Sequence, residues 1–440
     1  SNNNPPTFPD GLDVEIFKIE TLKNCYLKSK SIYYKEHVTP WMKRNKKIKS
    51  INYRSKEDFS KLRITLDYYE DYLVIKKIIE SFKKNIFFTT KQIVEFLNKN
   101  KSVSNLNNNY NRDEGSNLNY EQKLWKIANN LIPGGTSLFS KNPNLFLPNK
   151  WPTYYFKTKD CYVWGLDKKK YLDLSYMGVG TNILGYNNKK IDRSVLQTIK
   201  RGNLSTLNSP EEVYLASKFI EMSPWAGQVK FARSGGEANA IALRISRAAT
   251  KKNKVLFSGY HGWHDWYLAS NIKIKNSLKF HLMNNVPIDG VPNNLSKNVL
   301  CFEPNNLKDF KKKISDNKDI GTVFMEVARV NYPSKKYLLN IKKICSENKI
   351  TLIFDECTTG FRECMLGLHN KYRVYPDIAV YGKSLGNGYA INAVVGTNEV
   401  MTYANNTFIS STFWTERIGF TAGLKTLEEL QKVKPWKKII

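Results

Sequence analysis

A lysine that follows an apolar run is the residue of this sequence best placed for covalent chemistry. Lys383 comes after IAVYG and stands in the glycine-rich turn GKSLGNG. Partial burial favours the neutral amine of a lysine, and a neutral amine is a nucleophile towards carbonyl groups. Because most loop lysines only face solvent, Lys383 needs partners before it indicates a function.

An acidic pair at the end of another apolar run supplies negative charge. Asp355 and Glu356 follow LIF in the segment LIFDECTTGFR. A carboxylate buried at the end of a strand is costly unless a positive group meets it. The positive group can be the protonated ring nitrogen of a cofactor, a metal ion or an internal salt bridge, and these residues alone do not choose among them.

Two further segments have the residue types that bind a phosphate and an aromatic ring. In ARSGGEANAIALRISRAA, Ser234, Gly235 and Gly236 stand between a strand and a helix, where backbone N–H groups can meet a phosphate. A glycine pair at such a position is as often only a turn. In FSGYHGWHD, Tyr260 and His261 offer aromatic surface that can stack on a ring. The four segments together predict a phosphorylated aldehyde cofactor.

The elements that position these segments alternate regularly. The short apolar runs VKFA, KVLFSG, GTVFMEV, ITLIFDE and IAVYG are separated by helical stretches. This alternation is typical of an α/β fold with a mostly parallel sheet. The site would then lie where the apolar runs end.

The amino-terminal part has another pattern. KLRITL (residues 61–66) predicts a strand, LDYYEDYLVIKKIIESF an amphipathic helix, and TTKQIVEFLNKN a second helix opened by a threonine cap. Residues 99–117 are rich in Asn and Ser and predict a linker. We therefore predict a first domain over 1–98, a linker over 99–117 and a second domain over 118–440.

Composition excludes several classes of protein. With 440 residues, 41% hydrophobic and 13% aromatic, the chain is too apolar to be disordered, and no apolar run reaches the roughly 18 residues of a membrane helix. The net charge is +30, but the lysines are spread along the chain and no nucleic-acid motif occurs, so we predict a solvated basic surface rather than nucleic-acid binding. The six cysteines form no CxxC pair, which predicts reduced thiols in the cytoplasm and no metal site.

The segments SGGEA, YHG, FDECTTGFR and YGKSLGNG resemble, in order and spacing, the class III (ω-type) family of pyridoxal-phosphate aminotransferases. Within it they are most similar to the glutamate-1-semialdehyde aminomutase branch, over about residues 118–440. The resemblance implies fold type I, a mostly parallel seven-stranded sheet with helices on both faces. It also implies pyridoxal 5'-phosphate (PLP) as cofactor, a small-molecule amino donor and a keto or aldehyde acceptor, and a homodimer.

The resemblance assigns roles to individual residues. Lys383 would bond covalently to the cofactor and move the substrate proton, and Asp355 would hold the ring nitrogen. Thr412, in SSTFWTERIG, would reach the phosphate in the neighbouring subunit. The full cofactor-binding set would be Ser234, Gly235, Gly236, Tyr260, His261, Asp355, Lys383 and Thr412.

The sequence departs from the family pattern in three places. Gly236 stands where many relatives have a hydroxyl residue. The aminomutase has an arginine just after its PGG turn, whereas IPGGTSLFSKNP (residues 132–143) has none. The chain also ends at Ile440, without the C-terminal subdomain of the family, so it can be a piece of a longer protein.

The amino-terminal motifs PTFPDGLDVEIF, KEHVTPWM and KLRITLDYYEDYLVIKKII resemble the carboxyl half of a spore-coat-polysaccharide-type cytidylyltransferase, a partial α/β nucleotidyltransferase domain. By this resemblance Asp67 would help to hold Mg²⁺, and Asp13 and His37 would face a sugar. A helix N-cap is the alternative for Asp67. The nucleotide loop belongs to the missing half, so we expect no independent activity.

These observations favour an aminotransferase that works in amino-sugar or surface-polysaccharide synthesis. The sugar pathway is inferred only from the neighbouring cytidylyltransferase-like part. One alternative is an aminomutase that moves an amino group within one substrate. The other is a sugar cytidylyltransferase as the main activity, which the missing nucleotide loop disfavours.

Overall fold

The computed structural model divides the chain into two compact units. The first unit comprises Ser1–Phe156 and Trp164–Lys169, and the second comprises Lys157–Val163 and Lys170–Ile440. The structure describes residues 1–2, 4–28, 38–82, 87–110, 112, 120–148 and 150–438. Each unit has its own apolar core and is described separately.

The first unit is mainly helical in its described residues. Val74, Ile78, Leu97 and Val103 form the buried centre of an apolar cluster between its helices. The helices are Ile19–Lys28, Pro40–Arg44, Tyr69–Phe82, Thr90–Lys99, Lys101–Ser104 and Tyr120–Leu131.

Both predicted helices of this unit are present. The amphipathic pattern before residue 83 forms the helix Tyr69–Phe82. The second helix begins after Thr89, which forms a capping box with Gln92. In a capping box two backbone N–H groups at the helix start receive side-chain acceptors, so the predicted threonine cap is confirmed.

The strand predicted over residues 61–66 is wrong. Only Arg63 pairs there, in a single bridge with Asp10. The side chain of Arg63 is buried and lies 2.8 Å from Asp10 Oδ2 and 2.9 Å from Asp71 Oδ1. Ion pairs of one side chain, one of them across 53 residues, therefore fix this segment, where a longer backbone ladder was expected.

The two aspartates to which the cytidylyltransferase resemblance assigned roles form ion pairs with arginines. Asp67 Oδ2 lies 3.0 Å from Arg63 Nη2, and Asp13 pairs with Arg112. His37 lies outside the described residues. In the described ranges no three His, Cys, Asp or Glu side chains are grouped to hold a metal ion.

The described beginning of the predicted linker is folded. It contains the helix Lys101–Ser104, and Val103 and Asn107 are buried. Asn107 Nδ2 donates to Asp71 Oδ1 at 2.7 Å. Composition predicted a solvated linker here, but Asn107 belongs to a buried polar network. The first unit continues to Phe156.

Three short strands lie where the chain crosses between the units. They are β1 (Tyr155–Lys159), β2 (Tyr162–Gly165) and β3 (Lys170–Leu172).

The second unit is built on a seven-stranded sheet in the order β4-β10-β9-β8-β7-β5-β6. β10 is antiparallel to both of its neighbours, and the other pairs are parallel. This arrangement confirms the predicted mostly parallel sheet. The strands are β4 (Gln228–Ala232), β5 (Lys254–Ser258), β6 (Val299–Cys301), β7 (Ile320–Glu326), β8 (Thr351–Asp355), β9 (Ile378–Tyr381) and β10 (Asn392–Gly396).

Helices of this unit pack on the sheet, and four of its strands are buried along their whole length. Every residue of β7, β8, β9 and β10 is buried. Strands buried on both faces form continuous hydrophobic runs, which is why the predicted runs were visible in the sequence. The helices are Met177–Gly180, Lys189–Lys200, Pro210–Met222, Gly235–Thr250, Asp265–Leu268, Ser270–Lys273, Leu307–Asp316, Lys335–Glu347, Leu368–Tyr372, Asn398–Met401 and Arg417–Val433.

The sequence predicts reduced thiols and no membrane-spanning helix. All six cysteines lie in described residues and are free thiols. Among the described helices, none has the length and apolar character needed to cross a bilayer.

Candidate active site

The predicted site residues of the second unit meet at one edge of its sheet. Asp355 ends β8, Glu326 ends the neighbouring β7, and Lys383 comes two residues after β9. Glu326 is in register with Asp355. The carboxyl ends of parallel strands share one edge, which is where ligands bind in open α/β sheets.

Asp355 is a buried carboxylate with three donors. Asn239 Nδ2 donates to its Oδ2 at 2.8 Å, His261 Nδ1 lies 2.9 Å from the same oxygen, and Cys357 N–H donates to Oδ1 at 3.0 Å. Burial works to raise the pKa of Asp355, but the His261 and Cys357 hydrogen bonds outweigh it, and the pKa is lowered. Asp355 is therefore ionised at neutral pH.

His261 does not offer the aromatic surface that the sequence suggested. Its side chain is 0% exposed, and its ring nitrogens face Asp355 and the Ser258 carbonyl oxygen, at 2.9 and 3.2 Å. Its place is behind Asp355, where it orients the carboxylate.

Lys383 is half-buried and strained. Its Nζ donates to Thr358 Oγ1 at 3.0 Å. Its φ of +41° is a left-handed conformation that costs a non-glycine residue of order 1–3 kcal/mol, and such residues cluster at functional sites. The turn thus holds the amine beside the end of β8.

Glu326 connects Lys383 with Tyr260. Thr358 Oγ1 donates to Glu326 Oε1 at 3.2 Å, and Tyr260 N–H donates to Glu326 Oε2 at 2.8 Å. Arg329 Nη1 lies 3.1 Å from the same Oε2. A continuous set of hydrogen bonds therefore fixes the lysine amine relative to the backbone of Tyr260.

Tyr260 is half-buried and keeps its ring at this edge. The ring meets Tyr267 edge-on, with centroids 5.9 Å apart, and the Arg329 guanidinium lies 5.6 Å from its centroid. Burial raises the pKa of the Tyr260 hydroxyl. The hydroxyl is thus neutral at pH 7, and the stacking of this ring on a cofactor stays a prediction.

The turn Ser234–Gly236 begins the helix Gly235–Thr250. Ser234 is its N-cap and forms a capping box with Glu237. The first N–H groups of a helix have no partner within the helix and attract anions. A Cβ on Gly236 would come within 2.7 Å of the His264 ring, so a side chain at this position would displace that ring.

Thr412 lies in the exposed helical turn Thr412–Thr415. Trp414 of that turn donates through Nε1 to Glu237 Oε1 at 3.2 Å, which places the turn near the start of the helix Gly235–Thr250. The predicted contribution of Thr412 to a neighbouring subunit stays a prediction.

Glu356 belongs to another environment. It is fully buried and accepts the backbone N–H of His369 at 2.8 Å, and its Oε1 lies 2.9 Å from His369 Nδ1. The two acids of this pair therefore have different partners. Glu356 has an internal histidine partner, whereas Asp355 faces the candidate site.

Asn239, Glu326 and Thr358 contact the predicted site residues and were not predicted from the sequence. Glu326 ends an apolar run as Asp355 does, and Asn239 is a polar residue on an otherwise apolar helix face, so both could have been detected. Thr358 lies in a turn, and its role depends on which strands are neighbours.

The described residues of the second unit enclose cavities of different size. One of about 400 Å³ opens beside Glu326 and Arg329. A larger one of about 680 Å³ lies along β4, and its walls include none of the predicted site residues. The charged groups converge at the strand ends, and the candidate site lies there. Cavity size alone does not indicate chemistry.

Comparison with known sequences shows the family. Residues 148–439 match the family Aminotransferase class-III. The chain is 34% identical over 323 residues to a glutamate-1-semialdehyde 2,1-aminomutase from Nitrosopumilus maritimus (strain SCM1), covering 71% of this chain and 73% of that protein. It is 31% identical over 318 residues to a 3-aminobutyryl-CoA aminotransferase from Cloacimonas acidaminovorans (strain Evry), covering 70% and 72%.

Solved structures share the fold. The FumI protein of Sphingopyxis sp. MTA144 in a PLP form superposes with a TM-score of 0.64 at 24% identity, covering 71% of this chain and 73% of that one. An ω-transaminase from Sphaerobacter thermophilus gives 0.62 at 22%, covering 71% and 73%. The predicted PLP-dependent transferase fold type I is confirmed. The chain therefore belongs to the class III aminotransferases, a family of enzymes that use pyridoxal 5'-phosphate as cofactor.

Proposed function

We propose that this chain transfers an amino group from a small amino donor to a separate keto or aldehyde acceptor. The observation that carries the proposal is the pair Lys383 and Asp355 at the ends of β9 and β8. One is a half-buried amine and the other a buried, ionised carboxylate. Amino transfer with PLP needs both groups.

The residues at this edge fit the cofactor. Asp355 is a buried, ionised carboxylate, the group that would accept the ring N–H of PLP. The helix start at Gly235 and Gly236 would hold the phosphate, and the half-buried Tyr260 ring would lie against the cofactor ring. Ser234 already uses its hydroxyl in the capping box.

Each side chain has a physical task. Bound PLP supplies an electron sink that makes a proton on the substrate carbon acidic. Lys383 Nζ accepts and returns that proton, and Thr358 holds the amine in position through its hydroxyl. Asn239 and His261 keep the Asp355 carboxylate ionised and oriented.

Transfer between two molecules is favoured over transfer within one. The aminomutase resemblance calls for an arginine after the PGG turn, and residues 132–143 carry none. A charged hydrogen bond from such an arginine contributes about 1.5–3 kcal/mol to holding a substrate carboxylate. The aminomutase is the second candidate, and the 34% identity to a protein of that name favours it.

The pathway, the acceptor and the oligomeric state are proposed from resemblance to known families. We propose an amino-sugar or polysaccharide pathway with a sugar acceptor, because the first part of the chain resembles a sugar cytidylyltransferase. That first part would be incomplete and inactive. A homodimer and a cytoplasmic location complete the proposal, on the family resemblance and on the free thiols.

A donor-dependence assay tests the proposal. The PLP-loaded protein is incubated with glutamate-1-semialdehyde alone, and separately with amino acids plus keto or aldehyde acceptors. Product that requires both donor and acceptor supports transfer between molecules. Efficient formation of 5-aminolevulinate without any donor would establish the aminomutase in its place.

Covalent labelling tests the site independently of the substrate. Borohydride reduction of the PLP-loaded protein, followed by peptide mapping, should label the peptide that contains Lys383. The matched control is Lys383→Arg, which keeps a positive charge and should take no label. A label on another lysine would contradict the assignment.

A further inference from the structure

Arg362 lies beside Lys383 in the candidate active site. Arg362 Nε donates to the Thr358 carbonyl oxygen at 2.5 Å, and Lys383 Nζ donates to the hydroxyl of the same threonine at 3.0 Å. Arg362 Nη2 donates to the Gly180 carbonyl oxygen at 2.6 Å, and that oxygen also accepts from Ser384 Oγ at 3.2 Å. Two shared partners therefore fix the guanidinium next to the turn that carries Lys383.

Gly180 lets the guanidinium come this close. The φ of Gly180 is +83°, a conformation that favours glycine. A Cβ there would lie 2.7 Å from Arg362 Nη2 and 3.7 Å from Lys383 Cδ. Because both side chains border the same glycine, a small molecule that reacts at Lys383 comes next to the guanidinium.

The positive charge of Arg362 has no acidic partner in the described ranges. Both of its hydrogen bonds go to backbone carbonyl oxygens. Burial lowers the pKa of the Arg362 guanidinium, and only Tyr332 acts to raise it. By contrast, Arg329 at the same sheet edge lies 3.1 Å from Glu326 Oε2. A charge removed from water is costly unless an opposite charge meets it, so Arg362 calls for an anion that the described residues do not supply.

One end of the guanidinium is accessible to a ligand. Nη1 donates to no described residue, and it is not one of the fully enclosed unpaired atoms of those residues. An arginine presents its N–H groups in a planar fork, and this fork matches the two oxygens of a carboxylate. The anion that fits beside Lys383 is therefore the carboxylate of a bound small molecule.

The position of Arg362 decides which carboxylate it can reach. In the proposed function Lys383 Nζ accepts a proton from the substrate carbon that carries the amino group. A guanidinium beside the lysine side chain can reach a carboxylate on that same carbon. A carboxylate several carbons away would lie further from the lysine.

We propose that Arg362 determines donor specificity by binding the α-carboxylate of the amino donor, which makes the donor an α-amino acid. The inference rests on the proposed amino transfer and deepens it, since it names the donor class and the residue that recognises it. The carboxylate occupies the free end of the guanidinium and neutralises its charge. The amino group of the donor then lies at Lys383.

Binding of two unreactive adducts tests this contact without turnover. The probes are the reduced phosphopyridoxyl derivatives of L-glutamate and of 4-aminobutyrate, which differ only in the α-carboxylate. Both keep the cofactor part and the distant carboxylate. Dissociation constants come from titration of the cofactor-free protein, followed by tryptophan fluorescence. We expect the wild-type protein to bind the glutamate adduct about tenfold to a hundredfold more tightly than the 4-aminobutyrate adduct.

The test variant Arg362→Gln keeps a donor for the carbonyl oxygens and removes the charge. We expect it to weaken binding of the glutamate adduct about tenfold to a hundredfold and to leave binding of the 4-aminobutyrate adduct unchanged. The kcat/KM for amino transfer from L-glutamate should fall by the same factor. The matched control is Arg329→Gln, which should leave the preference between the adducts unchanged, because Glu326 already pairs with that arginine.

Each outcome decides the inference. Equal weakening of both adducts in Arg362→Gln, or of neither, would overturn the carboxylate contact. A wild-type protein without preference between the adducts would overturn the donor class. A wild-type protein that binds neither adduct would instead refute the proposed cofactor site. Thermal unfolding shows whether each cofactor-free variant is folded.

A second variant carries the test should Arg362→Gln fail to fold. Arg362→Lys keeps the positive charge but loses the planar fork that matches a carboxylate. We expect its preference for the glutamate adduct to fall about tenfold from that of the wild type. An unchanged preference in this variant would overturn the contact.

Discussion

Replacing Asp355 by asparagine removes the negative charge at the end of β8 and places an amide among hydrogen-bond donors. Asn239 Nδ2 and His261 Nδ1 both face Oδ2, at 2.8 and 2.9 Å. An asparagine can keep its oxygen towards the Cys357 N–H and then presents an NH₂ group to these two donors. We expect the fold to persist with reduced stability.

The size of the stability loss follows from the contacts. A hydrogen bond to a charged group contributes about 1.5–3 kcal/mol, and two are at risk. Rotation of the Asn239 amide would return one contact, since its Oδ1 is buried without a partner in the described residues, but Nδ2 would then leave the His261 carbonyl oxygen, to which it donates at 3.1 Å. The free energy of unfolding should fall by at least about 1.5–3 kcal/mol, the contribution of one bond to a charged group.

The effect on turnover should be larger than this loss. The lowered pKa of Asp355 shows that hydrogen bonds stabilise its charge by more than burial costs. That charge would face the ring nitrogen of PLP throughout the reaction. Removing one group that stabilises transition-state charge costs about 100- to 1000-fold in kcat, and we expect a loss of this size with PLP still bound.

The chain offers a matched control at the next residue. Glu356→Gln also neutralises a fully buried carboxylate that accepts from a histidine. Denaturant unfolding and kcat are measured for both variants. Similar destabilisation is expected, with turnover lost only in Asp355→Asn. Turnover within tenfold of wild type in Asp355→Asn, or an equal loss in Glu356→Gln, would refute the role given to Asp355.

Three further predictions follow from other contacts. Thr358→Val removes the hydroxyl that holds Lys383 Nζ, so kcat should fall about five- to tenfold with PLP affinity unchanged; unchanged kcat would contradict the positioning role. Thr412→Val should weaken PLP binding without changing the sedimentation of a dimer, and a monomer that binds PLP normally would contradict the shared site. Arg63→Leu removes the guanidinium that bonds the buried carboxylates of Asp10 and Asp71 and should cost about 3–5 kcal/mol of stability at pH 7 by urea unfolding. Burial acts to raise the pKa of Asp71, but the hydrogen bond from Arg63 lowers it overall, so this stabilisation is present above pH of about 4 and should be lost as the pH falls below it.

Strands of the second unit were predictable where their residues form continuous apolar runs. The runs that became β7, β8 and β9 are continuous because these strands are buried on both faces, and β5 is buried from Val255 onwards. β4 lies at the sheet edge and is only partly buried. β6, at the other edge, has only three residues, and the fully buried β10 was not predicted as a strand. The order of the strands depends on packing between distant segments.

The first unit shows the limit of local patterns. The run KLRITL has the residue types of a strand, yet the pairing of Arg63 with Asp10 is decided by residues 53 positions apart. The asparagine-rich segment after residue 99 has the composition of a linker, but Asn107 completes the buried network around Asp71. In both places a long-range polar contact prevails over local propensity.

The site residues found from the sequence are those that follow long apolar runs. A polar residue at the end of a buried strand must face a partner, which makes Lys383 and Asp355 visible without a fold. Asn239 and Thr358 belong to the site because they contact Asp355 and Lys383, and these contacts depend on the fold. The motif YHG gives the position of His261 but not the direction of its side chain, so the predicted stacking role does not follow from the motif.

The pair Asp355 and Glu356 shows why spacing alone could not assign the chemistry. Successive side chains along an extended chain point to opposite sides. Asp355 therefore meets His261 and Asn239 on the side of the site, while Glu356 meets His369 on the other side. Both are buried acids with a histidine partner, and they differ in what else is near. Asp355 has Lys383 close by, through their common neighbour Cys357, whose pKa burial raises while the Lys383 charge acts to lower it. In the proposed function Asp355, which shares a neighbour with Lys383, would act on the cofactor, and Glu356 would stabilise the fold.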